Sequence, residues 1–288
     1  MSYQNTISIF SLSIFSACTI ENKIHSLIPP MNEGQCDTEN HPIQSDQFKP
    51  VAVCQSTSQT VAPLRESIDV LGQESYDPNG FDIIDYSWNL VEQPLGSTVS
   101  FSDRSANGYG FTPDLAGTYA FELVVTNDRC IQSDPCRVEL EAVPKENLWI
   151  ELSWEHPYDD MDLHLITNDA LFESDGDCYY GNCISDYGTS LNWGRNDVFE
   201  DDPRLDLDDI EGRGPENINI AEPSNGSYRI VVHDYPGSEF FGENRVFVRI
   251  HLDGELVFDR SVLIEGEDSR TDIAIVEWPS LELQPLIP

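Results

Sequence analysis

The chain has 288 residues, of which 52 are acidic and 15 basic, so its formal net charge is −37 at pH 7. So strong a negative charge repels phosphate backbones and anionic lipid headgroups, and it excludes nucleic acid and acidic membrane surfaces as partners. Hydrophobic residues make up 39% of the chain, and its length predicts two domains. Cations, basic proteins and neutral glycans remain as partner classes, and the acidity is also typical of a surface protein that is simply kept soluble.

The N-terminus predicts export. Residues 1–17 contain an apolar run, Ile7 to Ala17, which is too short to span a bilayer and is typical of a signal peptide. Phe15-Ser16-Ala17-Cys18 resembles the bacterial lipoprotein signal, although Phe15 replaces the usual Leu and no Lys or Arg precedes the run. We expect lipid anchoring through Cys18 to the outer membrane or cell surface of a bacterium, as the sole membrane attachment. A plain secretory leader and a misplaced start codon are the alternatives.

The remaining cysteines predict disulfides. They are even in number and form no CxxC pair, which favours an oxidising compartment over metal binding: Cys36, Cys54, Cys130, Cys136, Cys178 and Cys183. Cys178 and Cys183 flank Tyr-Tyr-Gly-Asn, a turn that brings their Cα atoms within bridging range. Cys130 and Cys136 likewise bracket a turn-like segment, while Cys54 can pair with Cys36 or with a later cysteine.

After a polar, aperiodic tether over residues 18–50, the pattern becomes that of an all-β protein. Short alternating runs recur about every ten residues over 51–143, as in an antiparallel sandwich. Three segments, Ser75–Gly80, Ile84–Trp88 and Gly117–Asp128, resemble the polycystic kidney disease (PKD) domain in order and spacing. The resemblance implies an immunoglobulin-like fold that serves as an extracellular spacer or interaction module.

The physical chemistry of these residues agrees with such a sandwich. Asp77-Pro78-Asn79-Gly80 predicts a turn in which Gly80 takes a positive φ. Trp88 has the size to fill the space between two sheets. Tyr119, just before a long strand, is placed to form a tyrosine corner with a neighbouring backbone group.

A second β-sandwich is predicted over residues 147–280. Asp253-Gly254 is a two-residue hairpin signal. In the strand before this turn, the alternating pattern predicts that Arg249 and His251 point outward. The side chains predicted to point inward are Val246, Val248, Ile250 and Leu252.

This block also resembles a bacterial domain of unknown function that often follows PKD modules in predicted surface proteins. The matching segments are Leu152–Trp154, Asp160–Leu165, Asp206–Asp209, Gly214–Ile218 and Gly226–Ile230. That resemblance implies a fold and no activity.

A long acidic insertion, Asn168 to Glu216, interrupts the second block. Connections of this length are functional or disordered, and the aromatic anchors within this one favour an ordered loop over one end of the sheet. Exposed aromatics such as Tyr179, Tyr180 and Trp193, beside aspartates, suit a glycan surface; the alternative is that they only pin the loop.

The aspartates of this insertion are candidate Ca²⁺ ligands. Asp206 and Asp208 have the Asp-x-Asp spacing that lets alternate side chains converge, and Asp209 follows them. Asp160 and Asp162 show the same spacing on a predicted strand, on the face opposite Met161 and Leu163. An EF-hand loop is excluded, because Ile210, which has no oxygen in its side chain, occupies the position of the third ligand after Asp206 and Asp208. The alternative is a solvated acidic rim whose aspartates cap turns.

No catalytic motif is present. The sequence lacks HExxH, GxSxG and a glycine-rich phosphate loop, and we expect its histidines to be packed or surface residues. The expected function is therefore that of a non-catalytic, exported binding or adhesion protein, calcium-dependent, with an extracellular glycan or protein ligand. A structural envelope spacer and an accessory chain of a secreted hydrolase are the alternatives.

Overall fold

The computed structural model describes residues 49–100, 107–184, 191–210 and 212–288. The expected signal peptide, Cys18, Cys36 and almost all of the tether lie outside these residues. In the described part of the chain no helix has the length and apolar character needed to cross a membrane.

The described residues form an all-β structure, which confirms the predicted fold class. They contain seventeen strands and a short 3-10 helix, Phe199–Asp201. The strands are β1 (Gln55–Ser56), β2 (Thr60–Val61), β3 (Ile68–Leu71), β4 (Ile83–Glu92), β5 (Gly108–Phe111), β6 (Gly117–Asn127), β7 (Cys136–Ala142), β8 (Leu148–Trp154), β9 (Met161–Thr167), β10 (Asp177–Cys178), β11 (Arg204–Leu207), β12 (Glu216–Ile220), β13 (Gly226–Asp234), β14 (Asn244–Leu252), β15 (Glu255–Ile264), β16 (Arg270–Trp278) and β17 (Glu282–Pro285).

The first two sheets, ordered β1-β3-β5 and β2-β7-β6-β4, both contribute side chains to one hydrophobic cluster. Trp88 and Tyr119 are fully buried there, as predicted. The Tyr119 hydroxyl lies 3.0 Å from the Leu115 carbonyl oxygen and 2.8 Å from a carboxylate oxygen of Asp114, which confirms the tyrosine corner. Gly80 has the positive φ, +80°, that its turn requires.

The other two sheets, ordered β11-β12-β8-β14-β15 and β10-β9-β13-β16-β17, enclose a second hydrophobic cluster. The inward set predicted on β14 is buried in it. The β14–β15 hairpin turns at Asp253 and Gly254, whose φ angles of 51° and 80° are those of the expected two-residue turn.

The outward face of β14 is covered, contrary to the expectation that it faces solvent. His251 is only 6% exposed, and Arg249 forms a 2.7 Å ion pair with Glu151 of β8, itself 2% exposed. Every residue of β8 is buried because both faces of this central strand are packed. Alternation assigned the side chains to faces correctly, but it does not show what covers each face.

The covering residues belong to the first pair of sheets. Glu151 accepts hydrogen bonds from the Ala116 amide at 2.6 Å and from the Trp149 indole at 2.8 Å, while Arg249 donates to the Ala116 carbonyl at 3.2 Å. A Cβ atom on Gly96 would lie 2.5 Å from Ser153, so the backbones approach closely here. Burial raises the pKa of Glu151 even though Arg249 opposes the shift.

In two disulfides both cysteines are described residues. Cys178–Cys183 is the predicted local bridge, with Cα atoms 5.2 Å apart. Among the cysteines whose pairing the sequence left open, Cys54 bonds to a later cysteine, Cys136, across a sequence separation of 82 residues. Cys130 is disulfide-bonded as well, but not to Cys136. The cause is strand order, which places the start of β7 beside the segment before β1.

Arg249→Met leaves the Glu151 carboxylate buried without its counter-ion, and we expect it to lower the free energy of unfolding by about 3–5 kcal/mol at pH 8. The deficit shrinks toward pH 5, because the raised pKa of Glu151 rises further without Arg249 and the protonated acid needs no counter-ion. Urea unfolding of the variant and the parent at pH 8 and at pH 5 measures this loss of stability. Arg245→Met on the same strand is the control, and Glu151→Gln added to Arg249→Met restores most of the loss. Equal deficits at both pH values would contradict this account.

Candidate metal centre

Strand β9 carries the first component of the site. Met161 and Leu163 point into the core and are fully buried, while Asp162 and His164 occupy the opposite face, as the alternating pattern predicts. Asp162 is nevertheless only 3% exposed. Asp160 lies immediately before the strand and is partly buried.

Glu216, the first residue of β12, reaches across from the other sheet. Strand β10 pairs only with Leu165 and Ile166, so the edge of β9 continues beyond it without a strand partner. The Leu163 amide on that edge donates a 2.6 Å hydrogen bond to the Glu216 carboxylate. This bond holds a carboxylate that is 1% exposed beside Asp162.

Asp208 completes the group from the acidic insertion, just after β11 ends. One carboxylate oxygen from each of Asp162, Asp208 and Glu216 can be chosen so that all lie within 4.8 Å of one another. Oxygen ligands lie about 2.4 Å from Ca²⁺, so two ligands of one ion are at most about 4.8 Å apart. The three oxygens therefore have a spacing that a single cation can bridge. Asp208 is the exposed member, and the two others are buried.

The electrostatics of this group favour a positive charge. Burial, and after it the negative charge of Asp208, raises the pKa of Asp160 to about 7. Burial and the charge of Asp160 raise the pKa of Asp162 to about 8. Burial and the charge of Asp162 raise the pKa of Glu216 well above its ordinary value. Each ionised group is thus destabilised both by lost hydration and by its neighbours.

Two buried oxygens of the group lack hydrogen-bond donors in the described part of the chain: Oδ2 of Asp162 and Oε1 of Glu216. Across the described ranges, no lysine or arginine forms an ion pair with Asp160, Asp162, Asp208 or Glu216. A buried carboxylate without a donor or counter-ion is costly. A bound divalent cation would satisfy these oxygens and offset their repulsion.

The structure separates Asp206 from the other predicted ligands. Its carboxylate pairs with Arg65 of the first pair of sheets and accepts a 2.6 Å hydrogen bond from the Asn219 side chain. Arg65 also pairs with Glu146 at 3.0 Å, so Asp206 belongs to the contact between the two pairs of sheets. Asp206 lies within β11 and Asp208 lies just after it, so the two side chains have different partners.

Asp209 lies beside the group without joining it. Its Oδ1 accepts a 3.1 Å hydrogen bond from the Gly212 amide, which closes the turn after β11. Its charge contributes to raising the pKa of Asp160 and of Asp208. Asp209 therefore adds to the negative potential around the site.

Glu216 is the ligand candidate that sequence reasoning did not select. It lies 53 residues from Leu163 along the chain, and no spacing rule relates the two. The available signal was its position: an acidic residue directly after Gly214-Pro215 and at the start of a strand whose other residues are buried.

An open groove of about 490 Å³ adjoins the site. Asp208 and Asp209 form part of its wall, and Thr98 contributes from the first pair of sheets. The remaining lining residues are Leu207, Gly212, Arg213, Gly214 and Pro215. Because Asp208 belongs to both the groove and the carboxylate group, a cation bound there would lie next to the groove.

Comparison of the sequence with protein-family models and with curated proteins gives no match. The resemblances of residues 51–143 and 147–280 to surface-protein domains therefore stay predictions. The geometry of the carboxylate group supports functional conclusions without them.

Glu216 is both the hydrogen-bond acceptor of the Leu163 amide and a buried carboxylate beside Asp162, and two substitutions separate these roles. Glu216→Gln keeps an oxygen acceptor for the Leu163 amide and removes one buried charge, so in EDTA at pH 8 we expect no loss of stability. Glu216→Ala removes the acceptor and should lower the free energy of unfolding by about 1–3 kcal/mol. Chemical denaturation of both variants measures the difference. Equal destabilisation by Gln and Ala would contradict the charge repulsion inferred at this position.

Proposed function

We propose that this chain is an exported, non-catalytic binding protein whose second β-sandwich carries a Ca²⁺ site formed by Asp160, Asp162, Asp208 and Glu216. The observation that carries the proposal is the convergence of Asp162, Asp208 and Glu216, in which buried oxygens of Asp162 and Glu216 have no hydrogen-bond donor and no lysine or arginine partner among the described residues. Oxygen-only donors suit a hard cation. The site spans three chain segments, from the buried Glu216 to the exposed Asp208.

Calcium is the preferred occupant because it accepts six to eight oxygens in flexible geometry, whereas Mg²⁺ demands a near-ideal octahedron and retains water. The carboxylates here differ in burial and come from β9, β12 and the turn after β11. Such a set fits the tolerant coordination of Ca²⁺. Backbone carbonyls of the glycine-rich turn and a ligand in the groove would supply further oxygens.

Export is supported by the disulfides Cys54–Cys136 and Cys178–Cys183, which are typical of oxidising compartments. Attachment through a lipidated Cys18 rests on the resemblance of residues 15–18 to a lipoprotein signal, and Cys18 lies outside the described residues. The PKD-like segment, 51–143, would act as a spacer. Arg65 pairs with Asp206 and the Ala116 amide donates to Glu151, and these contacts support a fixed orientation of the second sandwich on the spacer.

The groove supports a binding role for the site. A neutral glycan carries paired hydroxyl groups that can complete the coordination of Ca²⁺, and it is not repelled by the net charge of −37. Asp208, exposed and shared between site and groove, is the residue through which cation and ligand would meet. We therefore favour a glycan as the ligand class.

Calcium binding is tested by calorimetry and thermal melting of the chelator-treated protein. Ca²⁺ at about 100 times its Kd should stabilise the fold by about 2.7 kcal/mol. Asp208→Asn should weaken binding by at least about tenfold, because ligand charge sets affinity. Asp197→Asn, which changes an exposed aspartate of the same insertion, is the control. If EDTA leaves the melting temperature unchanged and calorimetry detects no uptake, the site does not exist.

Glycan binding is tested on an array probed with and without Ca²⁺. We expect Ca²⁺-dependent binding that Asp208→Asn abolishes and Asp197→Asn retains. Ca²⁺ uptake without binding to any glycan would instead favour a structural spacer, which the interlocking contacts between the two pairs of sheets also fit. Glycan binding that does not depend on Ca²⁺ would contradict the proposal that the bound cation takes part in glycan recognition.

A further inference from the structure

Two buried histidines lie beside Asp162. His164 follows it by two residues on the same face of β9, and His233 of β13 is its direct cross-strand partner. Their exposed fractions are 0% and 2%. One ligand atom from each of the three residues can be chosen so that all lie within 4.8 Å of one another.

Each of the three residues has a buried atom without a hydrogen-bond partner among the described residues. These atoms are Nε2 of His164, Nδ1 of His233 and Oδ2 of Asp162. The distance from Nδ1 of His233 to Oδ2 of Asp162 is 3.8 Å, which is longer than a hydrogen bond. A direct His–Asp hydrogen bond therefore does not account for the arrangement.

The other nitrogen of each ring is held by a carboxylate. Nδ1 of His164 lies 2.8 Å from Asp177, and Nε2 of His233 lies 3.0 Å from Asp268. A ring nitrogen that donates its proton to a carboxylate leaves the opposite nitrogen as a lone-pair donor. Histidine ligands of metals show this carboxylate contact, which fixes the tautomer and increases ligand basicity.

Aromatic rings pack against the two histidines. Phe172 of the insertion stacks on His164 with ring centroids 4.1 Å apart and meets His233 edge-on at 5.3 Å. Tyr179 stacks on His164 at 5.2 Å. Such packing holds the rings in one orientation and excludes water, as an apolar shell does around metal sites.

We propose that His164, His233 and Asp162 bind one divalent transition-metal ion of the Zn²⁺ class, with Asp162 shared between this ion and the oxygen cluster. Two imidazoles and a carboxylate form a donor set that suits Zn²⁺, Co²⁺ or Fe²⁺ and leaves a further coordination position. Ca²⁺ prefers oxygen ligands and does not compete for the histidines. The inference goes beyond the proposed function, because either site can bind its ion while the other fails.

The test uses the full chain stripped of metal and titrated with Zn²⁺ and with Co²⁺, whose visible absorption reports nitrogen ligation. We expect one tightly bound ion, with affinity at least about 100-fold lower in His233→Gln and about 10–100-fold lower in Asp177→Asn, which changes the carboxylate that contacts Nδ1 of His164 and keeps an oxygen acceptor for the Glu173 amide. His156→Gln, at an exposed histidine, is the control and should leave binding unchanged. Asp208→Asn should weaken Ca²⁺ binding by at least about tenfold while it keeps the Co²⁺ spectrum, which separates the two sites.

A second measurement needs no variant. Nitrogen-15 NMR of the unaltered chain should show Zn²⁺ shifting Nε2 of His164 and Nδ1 of His233, while their carboxylate-bound nitrogens keep their protons. Unshifted imidazole resonances at saturating Zn²⁺, or a Co²⁺ spectrum that is the same in His233→Gln, would overturn the proposal.

Discussion

The hydrogen bond from the Leu163 amide to Glu216 connects two sheets at the point where strand pairing stops. Strand β10 covers only two residues of β9, and a buried amide beyond it must find an acceptor. The acceptor comes from the first residue of β12, in the other sheet. Satisfying one backbone donor therefore brings a buried carboxylate next to Asp162. The position of Glu216 in the candidate metal centre depends on this contact.

Buried carboxylates in this chain are compensated in two different ways. Glu151 has Arg249, the Ala116 amide and the Trp149 indole as partners, and it ties the two pairs of sheets together. Asp162 and Glu216 are equally buried, yet each retains an oxygen without a donor among the described residues. Glu151 thus has an arginine partner, whereas among the described residues no lysine or arginine pairs with Asp162 or Glu216, and this difference supports the cation proposed for them. Metal binding at the centre would then be coupled to folding stability and to protonation.

Local signals in the sequence predicted local structure well. Asp253-Gly254 forms its hairpin, Tyr119 forms its corner and Cys178 bonds to Cys183, because each depends on residues close together in the chain. Predictions that needed a distant surface were less successful. His251 points away from its own core as expected but is buried, since the first pair of sheets covers that face. Asp206 lies in the predicted acidic motif but is drawn away by Arg65.

The all-β class and the face of β9 that carries Asp162 could be predicted from the sequence, because the two-residue period of a strand is a local property. Which residues meet Asp162 on that face depends on tertiary packing. His233 faces Asp162 through the register between β9 and β13, and Glu216 arrives from a different sheet. Register and sheet-edge contacts depend on how the whole hydrophobic core packs. For that reason no spacing within the chain could reveal the two groups that share Asp162.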